Sequence, residues 1–169
     1  MQFDIDQRYP APVSAVLAAY TDRSLYDGLV AGTRVGKPEV LDVVRDGATA
    51  LVRLRYRFAA DLPGAALAVL DPARLTWVEE TRYDLERAMS TTALRPDHYG
   101  DRLAASATAR FDADRGGSDG CRRRIMGEVV VRGVPLVGGR VERAIVDGLR
   151  EHLTDEAAAV RRHLEATAR

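Results

Sequence analysis

Hydrophobic and polar positions alternate along much of this chain, and where they stop alternating they repeat at helical spacing. Met1, Phe3 and Ile5 alternate with Gln2, Asp4 and Asp6, the two-residue period of a strand with one buried face. After Pro10-Ala11-Pro12, Val13, Val16, Leu17 and Tyr20 repeat at helical spacing, with Pro12 near the first turn. Asp22 is placed to cap a second short helix through Leu25, Tyr26 and Leu29. A second strand is expected over 34–45, bent around Pro38 and closed by an Asp46-Gly47 turn. The third is the clearest, with Ala50, Val52, Leu54, Tyr56 and Phe58 on one side and Arg53, Arg55 and Arg57 on the other. Residues 62–70 are small and apolar and read as a short helix or lid-like excursion, ended by Asp71-Pro72. A fourth strand carries Leu75, Trp77, Glu79, Thr81 and Tyr83 on one parity, and a fifth spans 89–95. The sixth places Leu103, Ala105, Ala107, Ala109 and Phe111 on one face. After a Gly-rich loop at 116–120, the seventh does the same with Ile125, Gly127, Val129 and Val131.

The pattern then changes for good. Val141, Ile145, Leu149, Leu153, Ala157, Val160 and Leu164 trace a single apolar stripe on a helix. At 1.5 Å per residue such a helix is roughly 42 Å long and needs a broad partner. The expectation is therefore α+β: a curved antiparallel sheet of about seven strands wrapped around a long C-terminal helix, with two short helices after the first strand, in one domain over 1–169. Gly138-Gly139, at the helix start, are expected to let it pass close to the sheet.

Composition adds exclusions. Twenty-five basic residues balance 25 acidic ones, which argues against nucleic acid as a partner. No run of apolar residues reaches bilayer length, so no integral membrane contact is expected. The N-terminus lacks a basic leader followed by an apolar core, and the lone Cys121 allows no intrachain disulfide; both point to a cytoplasmic setting. One Cys and three scattered His offer no metal-ligand spacing, and the glycines form neither a P-loop nor a dinucleotide fingerprint, so neither metal nor cofactor is expected. His152 and His163 lie eleven apart, too far to share an ion, with His163 expected to face solvent. Outward Arg53, Arg55, Arg57, Arg122 and Arg124 alternate with Glu80, Asp84 and Glu128, which suggests a mixed charge ladder more than a basic patch.

Candidate chemistry lies on the inner parity. Glu79 points the same way as Trp77, and a carboxylate in an apolar interior has a raised pKa and can act as acid, base or anchor. Tyr83 and the loop residue His98, beside Asp97 and Asp101, are weaker acid/base candidates. Ala105, Ala107, Ala109 and Gly127 make the middle of the inner face small, so either the helix approaches closely or space remains. The residues expected to line that space are Tyr56, Phe58, Trp77, Glu79, Tyr83, Ala105, Ala107, Phe111, Gly127 and Val129, with Ile145, Leu149 and His152 from the helix.

The segments Gln7-Arg8-Tyr9-Pro10-Ala11-Pro12, Asp71-Pro72-Ala73-Arg74-Leu75-Thr76-Trp77, Pro96-Asp97-His98-Tyr99 and Val134-Pro135-Leu136-Val137-Gly138-Gly139-Arg140-Val141-Glu142 resemble a bacterial family, domain of unknown function 2505. The element order resembles the helix-grip fold of the START-like (SRPBCC) superfamily around it. That resemblance implies a deep apolar cavity between the concave sheet face and the C-terminal helix, with short helices and loops at its mouth. It assigns no reaction by itself. The expected role is to bind a small hydrophobic or amphipathic molecule, lipid-like or polyketide-like, as a carrier or sensor. A cyclase or dehydratase using the same cavity is the alternative, marked by a polar dyad inside it, and a protein-interaction module the third, marked by an exposed apolar patch.

Overall fold

The computed structural model describes residues 1–32, 34–59, 71–114, 119–133 and 138–168. Seven strands form one antiparallel sheet: β1 (Gln2–Tyr9), β2 (Glu39–Asp46), β3 (Thr49–Arg57), β4 (Thr76–Asp84), β5 (Met89–Pro96), β6 (Leu103–Ala113) and β7 (Cys121–Val131), in the order β1-β7-β6-β5-β4-β3-β2. Helices α1 (Val13–Tyr20) and α2 (Arg23–Asp27) follow β1, and α3 (Gly138–Thr167) runs 30 residues at the C-terminal end. This is the helix-grip arrangement. Asp22 caps α2, its carboxylate accepting from the Ser24 amide at 2.8 Å. The excursion expected at 62–70 lies outside the described residues.

Registers are in step across the sheet centre. Leu54, Glu79, Leu94, Ala105 and Val129 form one cross-strand row, and Val52, Thr81, Thr92, Ala107 and Gly127 the next. Paired residues share a face, so both rows point toward α3. The outer face is the expected charge ladder. Glu80 lies among Arg53, Arg82 and Arg95, and Arg55 meets Glu39 and Asp97.

Three local expectations need correction. β2 starts at Glu39 and not at 34, because Pro38 has no amide to donate; before it, Val35 makes only an isolated bridge to Phe58. Among the described residues no atom lies within 4 Å of where a Cβ would stand on Gly138 or Gly139, so none of those residues makes the close helix–sheet approach expected there. The close approach is at Gly127 instead. The Phe3 ring lies over it, filling the space that the small residue was expected to leave open, and a Cβ there would collide with that ring and stand 2.7 Å from the Ser106 carbonyl oxygen. Gly127→Ala is therefore expected to lose about 1–3 kcal/mol by overpacking, part of it recovered by Phe3→Leu in the same chain; thermal denaturation of the single and double variants checks this.

The core is packed unevenly. Toward α1 and α2 the inner face is closed: Val16, Tyr20, Leu25, Tyr26, Val52, Tyr83, Phe111, Ile125 and Val160 are all buried. Toward the start of α3 it is not, and Trp77, Glu79, Leu94, Ala107, Ile145, Leu149, His152 and Leu153 are each only half-buried although they face the space between sheet and helix. A filled interior would bury such inward apolar groups, so their half-exposure is what space between the layers would produce.

Candidate functional site

Glu79 reaches the inner face because β4 pairs without a bulge from Thr76 to Asp84, so the parity that turns Trp77 inward turns Glu79 inward as well. Among the described residues its carboxyl has no hydrogen-bond or ion-pair partner. Burial, reinforced by the Glu156 carboxylate and opposed by Arg123, pushes its pKa up to about 8. At neutral pH it holds a proton. Two residues away on the same face, Trp77 stacks on Tyr56 with ring centroids 5.8 Å apart, and Tyr56 meets His152 edge-on at 5.0 Å. The Tyr56 hydroxyl is buried and unpartnered among the described residues. Burial raises its pKa well above the ordinary phenol value, helped by Glu79 and Glu156. His152 is shifted the other way by burial and stays neutral, with Glu156 and Asp155 opposing that shift.

Deeper in, a residue that the sequence reading passed over completes the site. Arg123 has the same parity as Ile125, pairs with Gln7 of β1 and with Phe111 of β6, and turns inward. Its Nη1 donates to Glu156 Oε2 at 2.9 Å, to the Tyr20 hydroxyl at 2.6 Å and to Gln7 Oε1 at 3.2 Å. Its guanidinium carbon lies 4.4 Å from the centre of the Tyr20 ring. Tyr9 donates to Gln7 Oε1 at 2.8 Å and sits 2.7 Å from the Tyr20 hydroxyl. Gln7 Nε2 donates to the Leu153 carbonyl at 2.7 Å. This network ties β1, β7 and α1 to the middle of α3. Both Arg123 and Glu156 are 5% exposed, which makes theirs a buried ion pair.

The remaining expected residues divide by where they fall. Ala107, Ile145 and Leu149 are half-buried, as are Trp77, Glu79 and His152. Tyr83, Ala105, Phe111 and Val129 are buried in or next to the packed part, Phe111 against Tyr20 at 5.9 Å, because α1 and α2 fill that end. Phe58, just past the end of β3, is half-buried and bridges to Val35. His98 is exposed, its Nδ1 3.3 Å from Arg74 Nη2, while Asp97 pairs with Arg55, so this loop joins strand ends on the rim and does not meet Glu79. His163 is 19% exposed rather than solvent-facing, with Nε2 3.5 Å from the Asp22 carboxylate that caps α2. Cys121 is fully buried, and burial pushes its thiol up to about 11, far from a reactive thiolate.

A cleft of about 260 Å³ opens between residues 29–38 and α3, with Tyr56, His152 and Glu156 among its lining. A wider depression of about 930 Å³ is lined mainly by outward side chains, among them Glu80, Arg82, Thr91, Ser106 and Met126. No group of His, Cys, Asp and Glu among the described residues is arranged to hold a metal ion. No helix there is long and apolar enough to cross a membrane.

A family model described as "Protein of unknown function (DUF2505)" matches residues 4–164. The chain belongs to that family. Among solved structures, this DUF2505 chain is similar to TTHA0849 from Thermus thermophilus at 19% identity and TM-score 0.65, covering 100% of both chains. It is similar to the Zhui aromatase/cyclase from Streptomyces sp. R1128 at 15% identity and TM-score 0.66, covering 100% of this chain and 96% of that one. It is also similar to norcoclaurine synthase from Thalictrum flavum, solved with dopamine and hydroxybenzaldehyde, at 18% identity and TM-score 0.64, covering 98% and 87%. At these identities the likeness establishes the fold. None of the curated proteins matches the chain by sequence.

Proposed function

We propose that this DUF2505 chain binds a small, mainly apolar molecule with one polar end in the space between the sheet and the first half of α3, as a carrier or sensor. The observation that carries the reading is the uneven core: inward Trp77, Leu94, Ala107, Ile145 and Leu149 are half-exposed while the same face is closed at its other end. Among the described residues Glu79 stands on that mainly apolar wall with only a few polar neighbours, His152 and Thr92, the composition expected of a ligand site. The fold is shared with a cyclase and with a synthase solved with small aromatic compounds, which supports use of the same space. Among the described residues the large exposed apolar side chains, Val30, Val44 and Met126, are scattered over different elements.

Ala107→Phe tests the reading. With room beside Ala107, the variant is expected to keep its melting temperature and to lose binding of an apolar fluorescent dye. A filled core would instead lose about 1–3 kcal/mol, and a marked fall in melting temperature in protein that never bound dye would refute the cavity. Native mass spectrometry of freshly purified protein is expected to show a bound small molecule.

A second reading rests on the same carboxyl. A protonated Glu79 with a pKa near neutrality is in the state that a general acid needs, and Trp77 and Tyr56 give a flat surface against which to orient a ring. In that case the chain is an enzyme of the cyclase or dehydratase kind. Turnover of a model polyketide that vanishes in Glu79→Gln would separate this from simple carriage.

A further inference from the structure

Among the described residues, the interior of the fold holds one cationic side chain, Arg123, and two carboxyl groups, Glu156 and Glu79. Arg123 is committed to Glu156, 2.9 Å away, and both are buried. Glu79 is left without a counter-ion among the described residues. The groups around it are Glu156 and the neutral His152 of α3, Arg123 of β7, Tyr56 of β3 and Tyr83 of its own strand, while β5 supplies only uncharged Leu94 and Thr92. None of these supplies a further positive charge. Burial is the main cause that raises the Glu79 pKa; Glu156 adds to it and Arg123 opposes it.

The same wall is suited to an ammonium group. Trp77, half-buried two residues from Glu79 on the same face, stacks on the buried Tyr56, and a cation over an indole face is attracted by the ring quadrupole. The buried Tyr56 hydroxyl has an unused acceptor position. An ammonium has three N–H donors and no acceptor, matching a carboxylate, a phenol oxygen and a ring face.

Resting on the cavity reading above, we propose that the ligand is a cationic amphiphile: an apolar body carrying a primary ammonium group that pairs with Glu79 beside Trp77. Binding is then an exchange. The Glu79 O–H bond breaks and its proton leaves to solvent, the ammonium keeps its three protons, and the ion pair formed has the same net charge as the carboxyl it replaces.

Titration calorimetry with 4-phenylbutylamine at pH 6.5, in two buffers of different ionisation enthalpy, tests this. About one proton is expected to be released per amine bound, and the amine is expected to bind at least about tenfold more tightly than 4-phenylbutan-1-ol. Trp77, the only tryptophan, reports both events by fluorescence. In Glu79→Gln the proton release is expected to disappear and the two probes to bind alike. Amine binding without proton release, or no tighter than the alcohol, overturns the inference and leaves the cavity standing. If neither probe binds, the cavity reading falls with it.

Discussion

Arg123→Met is expected to lower the stability of this protein by about 3–5 kcal/mol, because it leaves the Glu156 carboxylate buried without its cation. Against a total of roughly 5–15 kcal/mol that is a large share, and for a chain of this length it corresponds to a fall in melting temperature of the order of 10 °C. Arg123→Met combined with Glu156→Leu removes both charges and is expected to recover most of the loss. Urea denaturation of the two singles and the double measures all three. A single variant within about 1 kcal/mol of the parent would mean that water reaches the pair.

Glu79→Gln is expected to do the opposite. The carboxyl has a folded-state pKa of about 8 against an ordinary 4.5, so the folded protein holds the proton more tightly. The stability linked to that proton is fully present below pH 4.5 and is lost as pH rises through the window from there to 8. At about 1.4 kcal/mol per unit the full shift would amount to some 5 kcal/mol, and because Glu79 is half-exposed a few kcal/mol is the expected size. Glutamine does not titrate. The variant should therefore match the parent near pH 4 and exceed it at pH 8.5, with a flatter dependence between. His152 contributes an opposite slope, since its lowered pKa makes stability fall as pH drops below 6.5, and it does so in both proteins. Equal pH profiles for parent and variant would show that Glu79 is ionised at neutral pH, and would remove the basis for both an acid and a proton-exchanging anchor.

The fold was legible because each strand alternates cleanly and the last helix carries one unbroken stripe. Glu79 was legible for the same reason, since no bulge separates it from Trp77. Arg123 was not, although its parity with Ile125 and Gly127 carried the signal. Within Arg122-Arg123-Arg124 three identical charges hide the alternation: Arg122 and Arg124 read as outward, and Arg123 between them, which is buried, drew no reading of its own. Glu156 lies between Leu153 and Ala157 at the margin of the stripe, where a charge ordinarily reaches solvent. What turns both inward is their mutual neutralisation, with Gln7 and Tyr20 accepting further hydrogen bonds from Arg123, and these partners come from four elements spread from β1 to α3. Pairings of that range leave no periodic trace. The role of Gly127 was hidden likewise, since smallness reads equally as space for a ligand and as space for Phe3.

The strand order bears on how the chain reaches this state. β1 is made first but pairs only with β7, and its far end is held by α3: Gln7 to the Leu153 carbonyl and Arg161 to the Arg8 carbonyl. Those partners are 146 and 153 residues apart in sequence. Chains dominated by such distant contacts fold slowly, on the scale of about milliseconds to seconds. During synthesis the meander from β2 to β6 can zip up pair by pair, while β1 waits as an exposed alternating segment until β7 and α3 have left the ribosome. Premature termination anywhere before α3 would thus release a sheet with a bare inner face and an orphaned first strand, the kind of species that chaperones retain and proteases remove.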